Sequence, residues 1–312
     1  MAPARWGAEE ERKDESMSDA TTTWLITGAS SGIGKALAEA VLARGERVIA
    51  CFRQQAQAEE FSARAPGRTF ACLVDLADSA AVQPAITRAI QASGRVDVVV
   101  NSAGYGLAGA LEEVSEAELR HQIETNFFGT LQVIKAALPF LRGQRRGHIF
   151  NLSSTAGVIG YQGLSLYCAS KFAVEGLAES LRVELAHLGI RVTIVELDGF
   201  RTNWSSATAI VRAGTVIDDY NRSAGRIRKG LALLDGNQPG DPVKAAQAII
   251  TVADAAEPPL RLILGVGAVE GIREKLQSRL AELEQWKHVS VATQIDGLTA
   301  NTASAHSGEK RG

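Results

Sequence analysis

Three residues near the middle of the chain have the types and spacing needed to move a proton. Tyr167 and Lys171 stand four apart in Tyr167-Cys168-Ala169-Ser170-Lys171. On a helix, positions i and i+4 share a face, so the phenol and the ammonium would point into one cleft. A phenol titrates near pH 10, about three units above neutrality, and each unit corresponds to roughly 1.4 kcal/mol. A nearby ammonium favours the phenolate, so Lys171 is expected to lower the pKa of Tyr167. Ser154 closes the run Asn151-Leu152-Ser153-Ser154, upstream of Tyr167. At a strand end its hydroxyl would sit on the carboxyl edge of a sheet, where open α/β folds bind ligands. Taken alone, a Tyr–Lys pair at this spacing is usually a helix surface contact, so the pair needs a second element to carry function.

That element is a glycine-rich turn, Thr27-Gly28-Ala29-Ser30-Ser31-Gly32-Ile33-Gly34, placed between a first apolar run and a first helix. Glycines let the backbone turn tightly and approach a pyrophosphate, whose charge then lies over the helix N-terminus. Many strand–helix turns use glycine for steric reasons only; the position in a first βαβ unit is what favours a nucleotide here. The second strand ends in Cys51-Phe52-Arg53. A carboxylate there would read ribose hydroxyls, whereas the Arg53 guanidinium suits a 2′-phosphate, so the expected cofactor is NADP(H). The chemistry that unites these parts is hydride exchange between a ketone or aldehyde and an alcohol. Negative charge develops on the carbonyl oxygen and needs a proton and hydrogen-bond donors.

The elements that must position these groups follow from periodicity. Apolar runs at Thr23–Thr27, Arg47–Phe52, Thr69–Val74, Val96–Asn101, Gly147–Leu152, Arg191–Glu196 and Leu260–Leu264 read as strands buried on both faces. Helical patterns lie between them at Gly34–Arg44, Ala80–Ser93, Glu116–Leu141 and Ser165–Leu188. The alternation predicts βαβ units with helices on both faces of a parallel sheet. Gly240-Asp241-Pro242 adds another helix start, with Asp241 as N-cap and Pro242 at N1. A single domain is expected over 21–288, with a substrate lid at about 200–240. Residues 1–20, with an unbroken charged run from Glu9 to Glu15, read as a disordered extension, and Met17 could be the start. The Ser-, Thr- and Ala-rich stretch 289–312 reads as a flexible tail.

Bulk properties narrow the partners. The chain has 312 residues and a net charge of −2, which gives no electrostatic case for nucleic acid. No apolar run approaches the roughly 20 residues needed to span a bilayer, and the N-terminus lacks an apolar signal core, so a cytoplasmic location is expected. The three cysteines are scattered, and the five histidines show no metal-ligand spacing, so no metal site is expected.

Taken together, these residues resemble the short-chain dehydrogenase/reductase family, in the branch carrying TGxxxGxG and YxxxK. The resemblance runs in order over about residues 21–270. It implies a Rossmann-type, doubly wound α/β fold with a roughly seven-stranded parallel sheet, and a ketoreductase-type activity. By carry-over, Gly28, Ser30, Ser31, Gly32, Ile33 and Gly34 line the cofactor phosphates. Asp75 and Leu76 match the adenine-contacting pair, and Asn101-Ser102-Ala103-Gly104 matches the family's NNAG stretch, with Ser102 in place of an asparagine. Asn126 matches the asparagine that completes a proton relay through water to the lysine. Ser154, Tyr167 and Lys171 match the substrate-orienting serine, the catalytic tyrosine and its lysine, and the last two also contact the cofactor.

One departure stands out: the family's Pro-Gly after the sixth strand is here Asp198-Gly199. Gly199 and Thr202 keep the nicotinamide-side positions, while Asp198 could alter substrate polarity or be a tolerated surface change. Trp204, Ile210, Val211, Val216, Ile217, Tyr220 and Leu231 give the lid region an amphipathic mix suited to a lipophilic carbonyl. The helices around Glu116–Leu141 and Ser165–Leu188 build subunit contacts in related enzymes, so a homodimer or homotetramer is expected. The alternative from another class is a non-catalytic NADP(H)-binding redox sensor, which would have no chemical need for Tyr167 or Lys171. A lyase-type relative fits less well, because its dehalogenase forms lose the glycine loop and lysine.

Overall fold

The computed structural model describes residues 21–202, 204 and 210–295. In chain order it forms β1 (Thr23–Ile26), α1 (Gly32–Ala43), β2 (Arg47–Phe52), α2 (Gln55–Arg64), β3 (Thr69–Leu73), α3 (Ser79–Ser93), β4 (Val98–Asn101) and β5 (Gly106–Ala108). Then come α4 (Glu116–Ile123), α5 (Gly129–Gln144), β6 (Gly147–Leu152), α6 (Ser165–Leu185), β7 (Ile190–Leu197) and β8 (Ile210–Arg212). The chain continues through α7 (Ala224–Leu234), α8 (Pro242–Ala253), β9 (Arg261–Leu264) and α9 (Val266–Val291).

Seven strands pair in parallel in the order β3-β2-β1-β4-β6-β7-β9. Side chains alternate across this sheet and feed two separate cores. Leu25, Ile49, Val99, Ile149 and Ile194 pack with α3, α5 and α6 on one face. Trp24, Ile26, Val48, Val100 and Phe150 pack with α1 and α8 on the other. Covering both faces is what permits strands as uniformly apolar as Val98-Val99-Val100. The strand order reverses between β1 and β4, and open sheets of this kind have their crevice outside the carboxyl ends at such a point.

Three differences from the sequence expectations have physical causes. The helix expected over Glu116–Leu141 is broken by a π-turn, Glu124–Phe128, between α4 and α5. Inserted turns of this type widen a helix locally and occur often at functional sites. The helix expected to reach Leu188 ends at Leu185 and tightens into a 3₁₀ turn before Gly189, whose φ of 71° only glycine adopts readily. The last helix runs to Val291, past the expected start of the tail at 289; residues 296–312 and 1–20 lie outside the described residues. In contrast, α8 starts as expected: Pro242 opens the helix and Asp241 accepts from the Val243 amide at 2.8 Å.

Candidate active site

The glycine loop between β1 and α1 is shaped by close backbone approaches. Gly28 has a φ of 67°, and a Cβ there would lie 2.9 Å from the Ala103 backbone. A Cβ on Gly34 would lie 2.5 Å from the Gly28 carbonyl oxygen, which is below any van der Waals contact. The Thr27 hydroxyl ties this loop to the end of β4 by accepting from the Ser102 and Ala103 amides, each at 3.1 Å. Ser30 and Ser31 are exposed and Ile33 is buried beneath them. Ser31 is the N-cap of α1, yet its side chain makes no capping hydrogen bond. An open helix N-terminus with free hydroxyls over a backbone-lined cradle fits a phosphate well.

Other expected cofactor residues surround this loop. Thr202 reaches it directly, with its Cβ 3.3 Å from where a Gly32 Cβ would stand. Gly199 precedes it, and its carbonyl accepts from the Gly240 amide at 3.0 Å. Arg53 is exposed at the end of β2. A cleft of about 210 Å³ beside Ser30 is lined by Lys35, Phe52, Phe61 and Arg64 among others. Asp75 follows β3, exposed, with its carboxylate accepting from the Ala77 amide, while Leu76 is buried against Gly129. Asn101 is buried and donates to Asn151 at 2.8 Å, so its side chain joins β4 to β6. Gly104 faces both Asn126 and Lys171, 3.2 and 3.6 Å from its absent Cβ.

The proton-handling residues meet at the carboxyl ends of β4 and β6. Tyr167 and Lys171 lie on the first turns of α6 and both are buried. Lys171 Nζ donates to the Leu152 carbonyl at 2.8 Å and lies 5.9 Å from the centre of the Tyr167 ring. Ser154 caps a short 3₁₀ turn, Thr155–Gly157, and accepts from the Ala156 amide at 3.1 Å. Its hydroxyl also faces the Tyr167 phenol closely enough to pull the phenol pKa down. Asn126 sits at the centre of the π-turn. Its Oδ1 accepts from the Tyr105 amide at 3.1 Å, and its Nδ2 donates to the Tyr105 carbonyl at 2.9 Å and to Ser170 Oγ at 3.1 Å. Ser170 in turn donates to the Tyr167 carbonyl, so the π-turn is bonded to the turn of helix that carries the tyrosine.

Electrostatics differ in one respect from the sequence expectation. Burial pushes the Tyr167 phenol upward, and the group that lowers it is Ser154 rather than Lys171. Burial also brings Lys171 down to about 8, against an upward pull from Glu175. Glu175 itself is raised to about 7, chiefly by burial and opposed by the nearby Ser153 hydroxyl. Asp198 has an identifiable neighbour: its carboxylate packs against Gly265 and Gly267 at the start of α9, where a Cβ on Gly267 would lie 2.4 Å from Oδ2. A negative charge is favourable at a helix N-terminus, which explains the residue in structural terms.

Several contacts gave no sequence signal, although Trp204, Ile210 and Leu231 are expected in the lid. Trp204 packs on Tyr167 with ring centres 5.3 Å apart, and together with Ile210, Ile227 and Leu231 it forms an apolar cluster over the tyrosine. Buried Glu113 accepts from the Ala110 and Ile217 amides and pairs with Arg228 of α7 at 2.6 Å, pinning the lid segment to the domain. Only distance in sequence hid this pair; an acidic residue before a capped helix looks like any surface glutamate. On α6, Val174, Leu181 and Leu185 are core, whereas Phe172 and Val183 are exposed.

The short chain dehydrogenase family model matches residues 22–210. An oxidoreductase of Botryotinia fuckeliana, BOA17, is 37% identical over 88% of this chain and 99% of its own length. The 3-ketodihydrosphingosine reductase of Bacteroides thetaiotaomicron is 35% identical over 77% of this chain and 87% of that protein. A crystal structure of a short-chain dehydrogenase from Streptomyces avermitilis superposes with a TM-score of 0.81 at 39% identity, covering 88% of this chain and all of that one.

Proposed function

The chain belongs to the short-chain dehydrogenase family, and from that premise we propose that it is an NADP(H)-dependent reductase interconverting a ketone or aldehyde with an alcohol. The observation that carries this reading is the convergence of Ser154, Tyr167 and Lys171 beside the glycine loop, since a protein that only bound the dinucleotide would need the loop alone.

Gly28, Ser30, Ser31, Gly32, Ile33 and Gly34 would hold the pyrophosphate, with Arg53 at the 2′-phosphate and Asp75, Leu76, Asn101, Ala103 and Gly104 lining the adenosine and nicotinamide sides. The bound cofactor supplies or accepts the hydride. Ser154 orients the substrate oxygen by donating to it, and Tyr167 gives its phenolic proton to that oxygen. Because the Ser154 hydroxyl faces the phenol, the serine and tyrosine hydroxyls would share one substrate atom. Lys171, at about 8, is mostly protonated at neutral pH and stabilises the phenolate left behind. Asn126 holds the tyrosine-bearing turn through Ser170 and would complete a proton relay through water to Lys171, which lies across Gly104 from it.

The apolar cluster of Trp204, Leu164 and Ile210 above Tyr167 supports a lipophilic carbonyl substrate. The 3-ketodihydrosphingosine reductase among the relatives is in keeping with that class. The domain is taken as 21–288 with its lid at about 200–240, and the setting as the cytoplasm. Fluorescence titration of the purified chain with NADPH and NADH tests the cofactor assignment: NADPH is expected to bind more tightly, and a preference for NADH would overturn it.

A further inference from the structure

Two of the cysteines that lie scattered in the sequence are brought together by the register of the sheet. Cys51 on β2 and Cys72 on β3 are Cα partners in the parallel ladder, directly across from each other. Partners in a ladder project to the same face, and both side chains enter the core that packs on α3. Both thiols are free. Neighbouring strands lie about 4.7–4.9 Å apart, inside the range of roughly 4.4–6.8 Å between Cα atoms over which a disulfide closes. Each thiol also shapes the other. Cys51 is pushed up chiefly by Cys72 and further by burial, whereas Cys72 is held down first by Cys51, against burial and with help from Arg88. Cys72 is therefore the readier thiolate of the two.

The pair stands where both strands lead into the cofactor cleft. Phe52 follows Cys51 and lines the cleft beside Ser30, with Arg53 next. Beyond Cys72, the Val74 amide donates to the Phe52 carbonyl at 2.8 Å, and Asp75 follows. A disulfide needs Cβ atoms about 3.5–4.5 Å apart, less than the spacing of neighbouring strands. Closing it would draw β2 and β3 together and move Arg53 and Asp75. The two thiols are buried, but β3 is the edge strand of the seven, and Leu73 beside Cys72 is 48% exposed. Local opening of an edge strand costs less than global unfolding and admits a small oxidant.

We propose that Cys51 and Cys72 form a reversible disulfide when oxidised by a hydroperoxide, and that this bond weakens dinucleotide binding. The Cys72 thiolate attacks one peroxide oxygen and the O–O bond breaks. The leaving oxygen takes up the proton lost by Cys72, giving an alcohol, or water from hydrogen peroxide. Cys51 then loses its proton and attacks the sulfenic sulfur; the S–O bond breaks and the hydroxyl leaves with that proton as water. Two thiols are thus oxidised to one disulfide while one peroxide is reduced. A bond closed against the strand spacing is strained, and strained disulfides are the readily reduced, regulatory kind. Bound dinucleotide, by holding Arg53 and Asp75, opposes closure, because coupling between two sites acts in both directions. The change in affinity rests on the dinucleotide reading given above, whereas formation of the bond does not.

The test treats the reduced full chain with hydrogen peroxide, alkylates it with N-ethylmaleimide in denaturant, and reads the mass and the peptide map. One alkylated thiol in place of three is expected, with a peptide cross-linked through Cys51 and Cys72, and dithiothreitol should return all three. The oxidised chain should bind NADPH roughly tenfold more weakly, within the usual range of coupling between sites, and dithiothreitol should restore the affinity. NADPH added before the peroxide should slow the loss of thiols. Cys51→Ala and Cys72→Ala should keep their NADPH affinity through the same treatment. Three alkylated thiols in a peroxide-treated wild type that circular dichroism shows to be folded, or cross-links through Cys168 alone, overturn the proposal. A Cys51–Cys72 bond that leaves NADPH affinity unchanged overturns the switch. If the reduced chain binds no dinucleotide at all, the reading above falls instead, and the thiol count still decides whether the bond forms.

Discussion

Glu175 lies one helical turn beyond Lys171 on α6, and both side chains are buried. The carboxylate lies beside Ser153, faces Glu196 and Arg261 from β7 and β9, and shares α6 with Glu179. Raised to about 7, Glu175 keeps its proton in the folded chain at pH values where the unfolded chain has lost it. Folded stability therefore declines as pH rises from about 4.5 through about 7. Glu175→Gln should remove that decline, and thermal unfolding at pH 8 should move upward relative to wild type while pH 5 shows little change. Because Glu175 pulls Lys171 upward, the same variant should shift the alkaline limb of turnover to lower pH. Parallel unfolding curves and an unmoved limb would count against this coupling.

Glu113 and Arg228 fix the lid. Arg228 beside it, with two backbone donors, lowers Glu113 to about 2. The stabilisation is present above about pH 4.5 and is lost as pH falls toward about 2. Arg228→Ala leaves a buried carboxylate uncompensated, which typically costs about 3–5 kcal/mol. Proteolysis of the lid segment should accelerate, and KM should rise more than kcat falls; an unchanged KM would show that the lid does not need this anchor.

Gly34→Ala places a methyl group against the Gly28 carbonyl. Overpacking of this sort costs about 1–3 kcal/mol. Dinucleotide affinity should drop along with thermal stability, and calorimetry of the variant with NADPH reads both.

Arg53→Ala should weaken NADPH by roughly 10–100-fold, the worth of a charge-assisted contact, and leave NADH unchanged. Equal losses for both dinucleotides would place Arg53 elsewhere in the site.

Much of this was readable in the sequence because the readable parts are local. Periods of 2 and 3.6, the Asp241-Pro242 start and the Tyr167–Lys171 spacing are short-range signals, and the seven main strands lie within a residue or two of their expected limits. What escaped depends on contacts distant in sequence. Trp204 meets Tyr167 and Arg228 meets Glu113 only after the chain has folded. The π-turn at Asn126 is invisible to a helical period, since it inserts a residue without changing the surrounding pattern. The short β5–β8 pair, each three residues long, carries too little periodicity to register.

The central claim is that Tyr167 exchanges a proton with a carbonyl oxygen held by Ser154. The direct measurement is NADPH oxidation by the purified chain against a panel of lipophilic ketones and aldehydes, for wild type, Tyr167→Phe and Ser154→Ala, with NADPH affinity measured in parallel. Turnover by the wild type is predicted, with Tyr167→Phe inactive, Ser154→Ala reduced by roughly 10²–10³-fold, and NADPH binding retained in both. Tight NADPH binding with no turnover on any carbonyl, or turnover that survives Tyr167→Phe, would contradict the account.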